Sequence, residues 1–464
     1  MYYFMKRIAY LRALVIAAVL AVAMPMSAQF LRTGYFMEGS SRMQLNPANL
    51  PSRGYLDAPA LGTLNVGAYT NSLGLQDLIN TFDSDGDFYD NPDFYNKLKV
   101  ANDLGISLST DIISFGFYRG KNFWSANVGV RFDLEAGIPR NMFDYLRNSP
   151  DGDMDNLSSW NNQNYQISNL RLALNSFAEV GVGYARIIND RLTVGGKFNV
   201  LLGMGNLDMK INNVQISTTE LYDRYGNIDP NANATIDVDA SLEANMKGLE
   251  LTTDDYSGAI DGVEMNGFGI GGYGVGIDLG ATYRLLNNLT LSAAVTDLGF
   301  ISWSKSSSSV VEGDNTQTYD ASNMDQFMDR VDGGEVIDFD MFGLHKGNVQ
   351  KKRSTRLPTT LAVGAEYAFW KNRFSVGGLY TSRWGMNRTL SEVTLSANFR
   401  PTTKIGLSAS YSMLQSAGKT FGAAIKLGPL TLGTDYLFLG KNTRSVNVFL
   451  GLSRTIGKKC PEVD

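Results

Sequence analysis

With 464 residues, 41 basic against 46 acidic side chains and a formal net charge of −5, the chain gives no electrostatic reason to expect nucleic-acid binding. Its one cysteine, Cys460, excludes an internal disulfide scaffold, and its one histidine, His345, leaves a His-based metal site or a Ser-His-Asp triad poorly supplied, so no catalytic residue is assigned and no enzyme is expected. Forty-eight glycines, 24 Phe and 22 Tyr beside only 12 prolines suit a large antiparallel sheet.

Residues 1–28 read as a signal peptide. Lys6, Arg7 and Arg12 lead into ALVIAAVLAVAM, an apolar run too short to cross a bilayer comfortably, and Ala28 supplies the small residue before Gln29. An uncleaved anchor is the alternative. Residues 29–58 alternate poorly and hold two prolines, so they are not expected in a sheet. Attached to a barrel, they are expected to fold into its lumen as a plug.

From residue 59 the chain alternates with the period of strands. A weaker strand near 59–70 precedes hairpins at 103–118 with 122–135, 177–187 with 191–202, and 274–285 with 289–303; further weak strands lie near 205–217 and 235–247. From Leu357 the pattern runs without interruption. LPTTLAVGAEYAF puts Leu361, Val363, Ala365, Tyr367 and Phe369 on one face, and EVTLSANFR, KIGLSASYSM, TFGAAIKL, LTLGTDYLF and SVNVFLGLS follow suit. Between the hairpins lie polar insertions at 73–100, 137–173, 218–268 and 304–356, with short helices expected at 141–148 and 323–331.

The polar face of these strands is made of Gly, Ser, Thr and isolated charges, too small and too polar to fill the core of a soluble sandwich. The other face is continuously apolar. That combination predicts an all-β transmembrane barrel of about 14 strands at 59–464, with twelve or sixteen as alternatives, apolar outward to outer-membrane lipids and polar inward. Long insertions at one rim and short turns at the other match a cell outer membrane, with the long ones outside. Arg131, Asp133, Glu179, Lys197, Asp278, Arg284, Glu366, Glu392, Arg400, Lys426 and Asp435 are expected in the lumen, where their mixed signs argue against a strongly ion-selective pore.

Three local stretches carry candidate chemistry. GFGIGGYGVGIDLG (267–280) holds two literal matches to the dinucleotide fingerprint, but a strand follows where a helix is required. Its apolar phase instead shifts from Phe268 and Ile270 to Val275 and Ile277, which predicts a wall kink at Gly271, Gly272 and Gly274. Asp83, Asp85 and Asp87, and Asp151, Asp153 and Asp155, have the oxygen-rich spacing of structural calcium. The first set lacks the EF-hand glycine and terminal acid, so a solvated acidic loop is the plainer reading, and no metal or other cofactor is firmly assigned. Lys346, Lys351, Lys352, Arg353 and Arg356 form a basic run that suits either anionic head groups at a membrane rim or a soluble loop.

Asn46-Pro47-Ala48 directly before the first strand, with the later LPTTLAVGAEY, VGVGYARIINDRLTVGGKFN and AAVTDLGF, resembles the FadL-type family of outer-membrane barrels. The likeness is one of pattern over most of the chain, with only the Asn-Pro-Ala element sharply local. The resemblance implies a lumenal hatch to which Asn46, Pro47 and Ala48 belong, a hydrophobic ligand entering from outside and lateral exit through a kinked wall strand. It therefore implies a channel for passive uptake of hydrophobic small molecules, fatty acids being the default. Relatives of the same family include PorV-like barrels, which imply the alternative of a non-transporting partner of a secretion or assembly machine, offering its outer loops to another protein. A cavity lined by Phe, Leu and Met beside the hatch would favour transport.

Overall fold

The computed structural model describes residues 31–460 except 75–76, 78–90, 149–157, 254–259, 332–344, 348–351, 414–419 and 438–443. Residues 1–28, expected to be a signal peptide, and both aspartate loops thus lie outside the described residues.

The strands close into a 14-strand antiparallel barrel. β1 (Arg53–Asp57) and β2 (Leu64–Thr70) together make the first wall strand, both pairing with β3 (Ala101–Arg119) on one side and with the final strand, β21 (Ser445–Lys459), on the other. The wall continues through β4 (Asn122–Pro139), β5 (Asn164–Ile187) and β6 (Leu192–Thr218). It then leaves the order of the sequence, since the inner half of β6 pairs with β10 (Gly272–Leu286), which pairs with β11 (Leu289–Trp303). β14 (Arg353–Arg356) and β15 (Thr359–Phe369) share the next position, followed by β16 (Phe374–Trp384), β17 (Thr389–Thr402), β18 (Ile405–Met413), β19 (Thr420–Leu427) and β20 (Leu430–Thr434), which meets β21.

The alternation in the sequence fixes which face meets what. On β17, Glu392, Thr394, Ser396 and Asn398 are buried inward while Leu395 and Phe399 stand exposed outward. Inward hydroxyls and amides bond across strands, as Thr394 does with Ser412 (2.9 Å) and Ser408 with Asn398 (2.7 Å). Outward, exposed Val, Leu, Ile, Phe and Tyr follow one another around the wall, and near the short turns Phe117, Trp124, Tyr184, Tyr283, Tyr367, Phe369 and Phe399 form an aromatic girdle. A belt of that kind is unfavourable in water and suits hydrocarbon, and a closed barrel leaves no backbone edge unpaired within it. The protein is an outer-membrane barrel.

Three expectations are corrected. Residues 53–57, placed with the plug at 29–58, belong to the wall: a five-residue strand after Pro51 is too short to show alternation, yet Tyr55 turns inward against Tyr118 and Phe123. The stretch 205–217 is the outer half of β6, and the segment near 235–247 is β7 (Asn233–Met246), which pairs with that half outside the barrel ring. The insertions 218–268 and 304–356 are more than loops. β12 (Ser308–Asp320) pairs along the whole of β7 and carries the two-residue β13 (His345–Lys346), while β8 (Leu249–Thr253) and β9 (Ile260–Met265) form a separate hairpin. With α1 (Arg140–Asn148) and α2 (Met324–Val331), close to where short helices are expected, these elements bury a core that includes Trp160, Leu170, Ile216, Ile236, Val238 and Phe327.

Candidate functional site

The geometry of the lumen follows from which residues are small. Residues 31–50 are buried or half-buried, and their polar groups bond to inward-facing residues of strands distant in sequence. Thr33 N–H donates to Asp435 Oδ1 (2.7 Å) and its carbonyl accepts from Ser408 Oγ (2.7 Å). Arg32 pairs with Glu392 and lies over the Tyr436 ring, Arg400 donates to the carbonyl of Phe36, and Lys426 Nζ donates to that of Glu38 (2.9 Å). Tyr35 Oη donates to Ser292 Oγ (2.9 Å); burial raises this phenol above its ordinary pKa and keeps the proton in place.

Asn46, Pro47 and Ala48 form a tight turn against β6 and β10. Asn46 is fully buried, its Oδ1 accepting from Ala48 N–H (2.9 Å) and its Nδ2 donating to Ala281 O and Tyr35 Oη (both 3.3 Å). The wall makes room with glycine. A Cβ at Gly280 would meet Asn46 Oδ1, and one at Gly195 would lie 2.7 Å from the Pro47 carbonyl. Any side chain at Gly280 therefore displaces the turn.

Beside this turn, the lumen holds a charge network. Arg131 Nε meets Glu179 Oε2 (3.0 Å) and Arg131 Nη1 meets Asp297 Oδ2 (3.1 Å); Lys197 Nζ meets Glu179 Oε1 (3.0 Å), which also accepts from Asn127 (2.8 Å). Asp278 accepts from Asn199 (3.2 Å) and from the backbone of Asp297 (2.7 Å). Two small cavities flank the network, and both are lined by Asp111, Arg131 and Glu179. Their linings mix these charges with Leu31, Leu45, Leu108 and Met43, so neither is the predominantly Phe, Leu and Met cavity that would have favoured transport.

The apolar inner surface lies elsewhere. Where β6 passes Gly203 it stops pairing with β10 and, from Gly205, pairs with β7. At this seam Phe177, Leu201, Ile301, Trp303 and Leu357 pack on the inner face, with Trp303 Nε1 donating to Thr355 Oγ1 (2.8 Å). The Trp303 ring occupies the space above Gly203, where a Cβ would lie 2.6 Å from it.

Of the residues singled out in the sequence, the expected lumenal charges lie on the inward face; Arg284, next to the outward Tyr283 near the end of β10, is exposed at the short-turn rim. Gly272 and Gly274 lie in β10, in unbroken register with Gly203 and Leu201, while Gly271 lies in the link before it. The phase shift at Gly271–Gly274 thus marks entry into the wall. The register shift in β10 and β11 falls later, between Ile277 and Leu279, opposite Asp297 at φ 59°. Sequence reasoning missed Asp111, Asp297, Asn127, Asn199 and Trp303. Only Asp297 left a signal, since Asp-Leu-Gly interrupts the alternation of its strand.

No group of three or more His, Cys, Asp or Glu side chains able to hold a metal occurs among the described residues. A family model described as "Family of unknown function (DUF5723)" matches residues 47–435. No curated protein matches. Among solved structures, the chain is similar to the Ralstonia pickettii toluene transporter TbuX (10% identity, 90% of this chain and 94% of that one, TM-score 0.42). It is also similar to the P. putida toluene transporter TodX (10%, 94% and 96%, 0.38) and to a Pseudomonas aeruginosa FadL homologue (10%, 92% and 98%, 0.37). At these identities and scores they say nothing of what this chain carries.

Proposed function

Taking as premise that the chain belongs to the family of unknown function DUF5723, we propose that it is an outer-membrane channel through which hydrophobic small molecules diffuse. Residues 31–50 plug the polar lumen, and the seam beside Trp303 is the exit to the bilayer. Fatty acids are the default cargo. The observation that carries this reading is the apolar cluster of Phe177, Leu201, Ile301, Trp303 and Leu357, set on the inner face where the wall strand changes partner. A hydrophobic solute gains by following apolar surface and loses by crossing the charge network, so a lateral route at the seam is favoured over a vertical one. The mixed cavities and the separately cored outer layer support a second reading, a PorV-like barrel that offers this layer to a protein partner.

Stapling the seam tests the first reading. Leu202 and Tyr273 are cross-strand partners at its edge. In a Cys460→Ser background, the pair Leu202→Cys with Tyr273→Cys is expected to abolish uptake of labelled oleate in a Gram-negative host lacking its own fatty-acid channel, and a reductant is expected to restore it. Uptake that is equal with the staple closed and reduced would remove the seam from the route.

A further inference from the structure

Outside the lumen, one patch brings exposed aromatic and aliphatic side chains together with cations. The link before β10 leaves Phe268 88% exposed, with Ile270 exposed beside it, and Tyr273 follows at 65%. Tyr283 in the inner girdle and Tyr273 lie about 25 Å apart along the barrel axis, the height of an outer-membrane apolar band. Tyr273 therefore stands at the outer edge of that band, and Phe268 and Ile270 stand at head-group level.

Cations flank the same edge: through Ser302, Ser354 is in register with Tyr273, so Lys352 stands on the outer side of that edge and Arg356 on its inner side. On β14, Thr355 and Arg353 face away from lipid, Thr355 accepting from the inward Trp303 and Arg353 pairing with Glu243. Arg356 and Lys352 are on the other face, and Arg356 is the register partner of the exposed Phe300. Lys305 joins them through the Gly271 carbonyl, which accepts from Ser304 N–H (3.0 Å) and Ser307 Oγ (2.6 Å) and so ties the Lys305 turn to the Ile270 link. Lys305, Lys352 and Arg356 are exposed and have no acidic partner among the described residues. Lys351 lies outside the described residues.

We propose that this patch is a binding site for a phosphate-bearing anionic lipid of the outer leaflet. Its acyl chains lie along Tyr273 and the outward residues below it, Ile270 and Phe268 pack against the glycerol and head-group region, and the phosphate is held by Arg356, Lys352 and Lys305. Charge complementarity selects this occupant, since three cations with no acidic partner among the described residues, at the rim of an apolar band, attract an anionic phosphate more strongly than a zwitterionic head group. Arg356 brings the planar fork that suits phosphate. The site stands on the outward face and does not depend on whether the barrel transports.

Native mass spectrometry of the full-length barrel, stripped of lipid in detergent and titrated with dimyristoyl phosphatidylglycerol or dimyristoyl phosphatidylcholine, provides the test. The wild type is expected to retain the anionic lipid, and the variant Lys305→Gln, Lys352→Gln, Arg356→Gln to bind it at least about tenfold more weakly. Unchanged heat-modifiable migration on gels certifies the fold of the variant. Phe268→Ser with Ile270→Ser, a second variant that keeps the charges, is expected to weaken the same lipid, whereas inorganic phosphate alone does not compete. Equal retention of both lipids by the wild type, or equal retention of phosphatidylglycerol by wild type and charge variant, overturns the proposal.

Discussion

Deleting residues 31–50 is expected to convert a closed barrel into an open pore. The wall strands pair with one another from β1 round to β21 without using any residue of this segment, so the barrel can close in its absence. What is lost are the groups that fill it: Arg32 on Glu392, Thr33 on Asp435 and Ser408, and the Asn46 turn on β10. Planar-bilayer recordings are expected to show steady open steps for the deletion and a silent wild type, with weak ion selectivity because the exposed lining carries both signs. Gly280→Val is the single-residue form of the same test. Its side chain meets Asn46 Oδ1, and overpacking of this kind typically costs about 1–3 kcal/mol. Trypsin cleavage after Arg42 is then expected about tenfold faster or more than in the wild-type barrel. A silent deletion variant would show that something other than residues 31–50 closes the lumen.

The second large effect is expected at Glu179. This carboxylate is 2% exposed and accepts from Arg131, Lys197 and Asn127 at once. Glu179→Leu removes the anion but leaves a guanidinium and an ammonium facing each other, with Asp297 still engaged by Arg131. Removing one partner of a buried pair typically destabilises by about 3–5 kcal/mol, because the remaining charge stays desolvated. Urea unfolding in detergent, followed by tryptophan fluorescence, is expected to show a midpoint lowered accordingly. Replacing Glu392, by contrast, is expected to act mainly on the N-terminal segment, since its partner Arg32 belongs to that segment and can leave with it. An unchanged midpoint for Glu179→Leu would mean that the network is hydrated and carries little of the stability.

How far the sequence could lead depended on how regular each element is. Leu361 to Phe369, or Val393 to Phe399, alternate over enough residues to declare both strand and face, and the lack of large residues opposite them distinguishes a lipid-facing wall from a sandwich. Residues 29–58 stood out by failing to alternate, although 53–57 belong to the wall. β1 was hidden because five residues cannot establish a period, and its place in the wall is set by partners nearly 400 residues away in β21. The outer layer was hidden because Ile236, Val238 and Leu242 alternate just as a wall strand does; only the pairing of β6 first with β10 and then with β7 tells the two apart. The charge network joins β3, β4, β5, β6, β10 and β11, a grouping no local spacing could reveal. Trp303 likewise gains its role from Gly203, a hundred residues before it.

The most direct test of the account is native mass spectrometry of the protein extracted from its own outer membrane in mild detergent, read for whatever stays bound. The account predicts a stoichiometric apolar small molecule that is lost when Trp303→Ala and Leu201→Ala open the seam cluster. A barrel that carries no apolar molecule and instead retains a protein on its outer layer would contradict the channel and leave the partner-binding reading in its place.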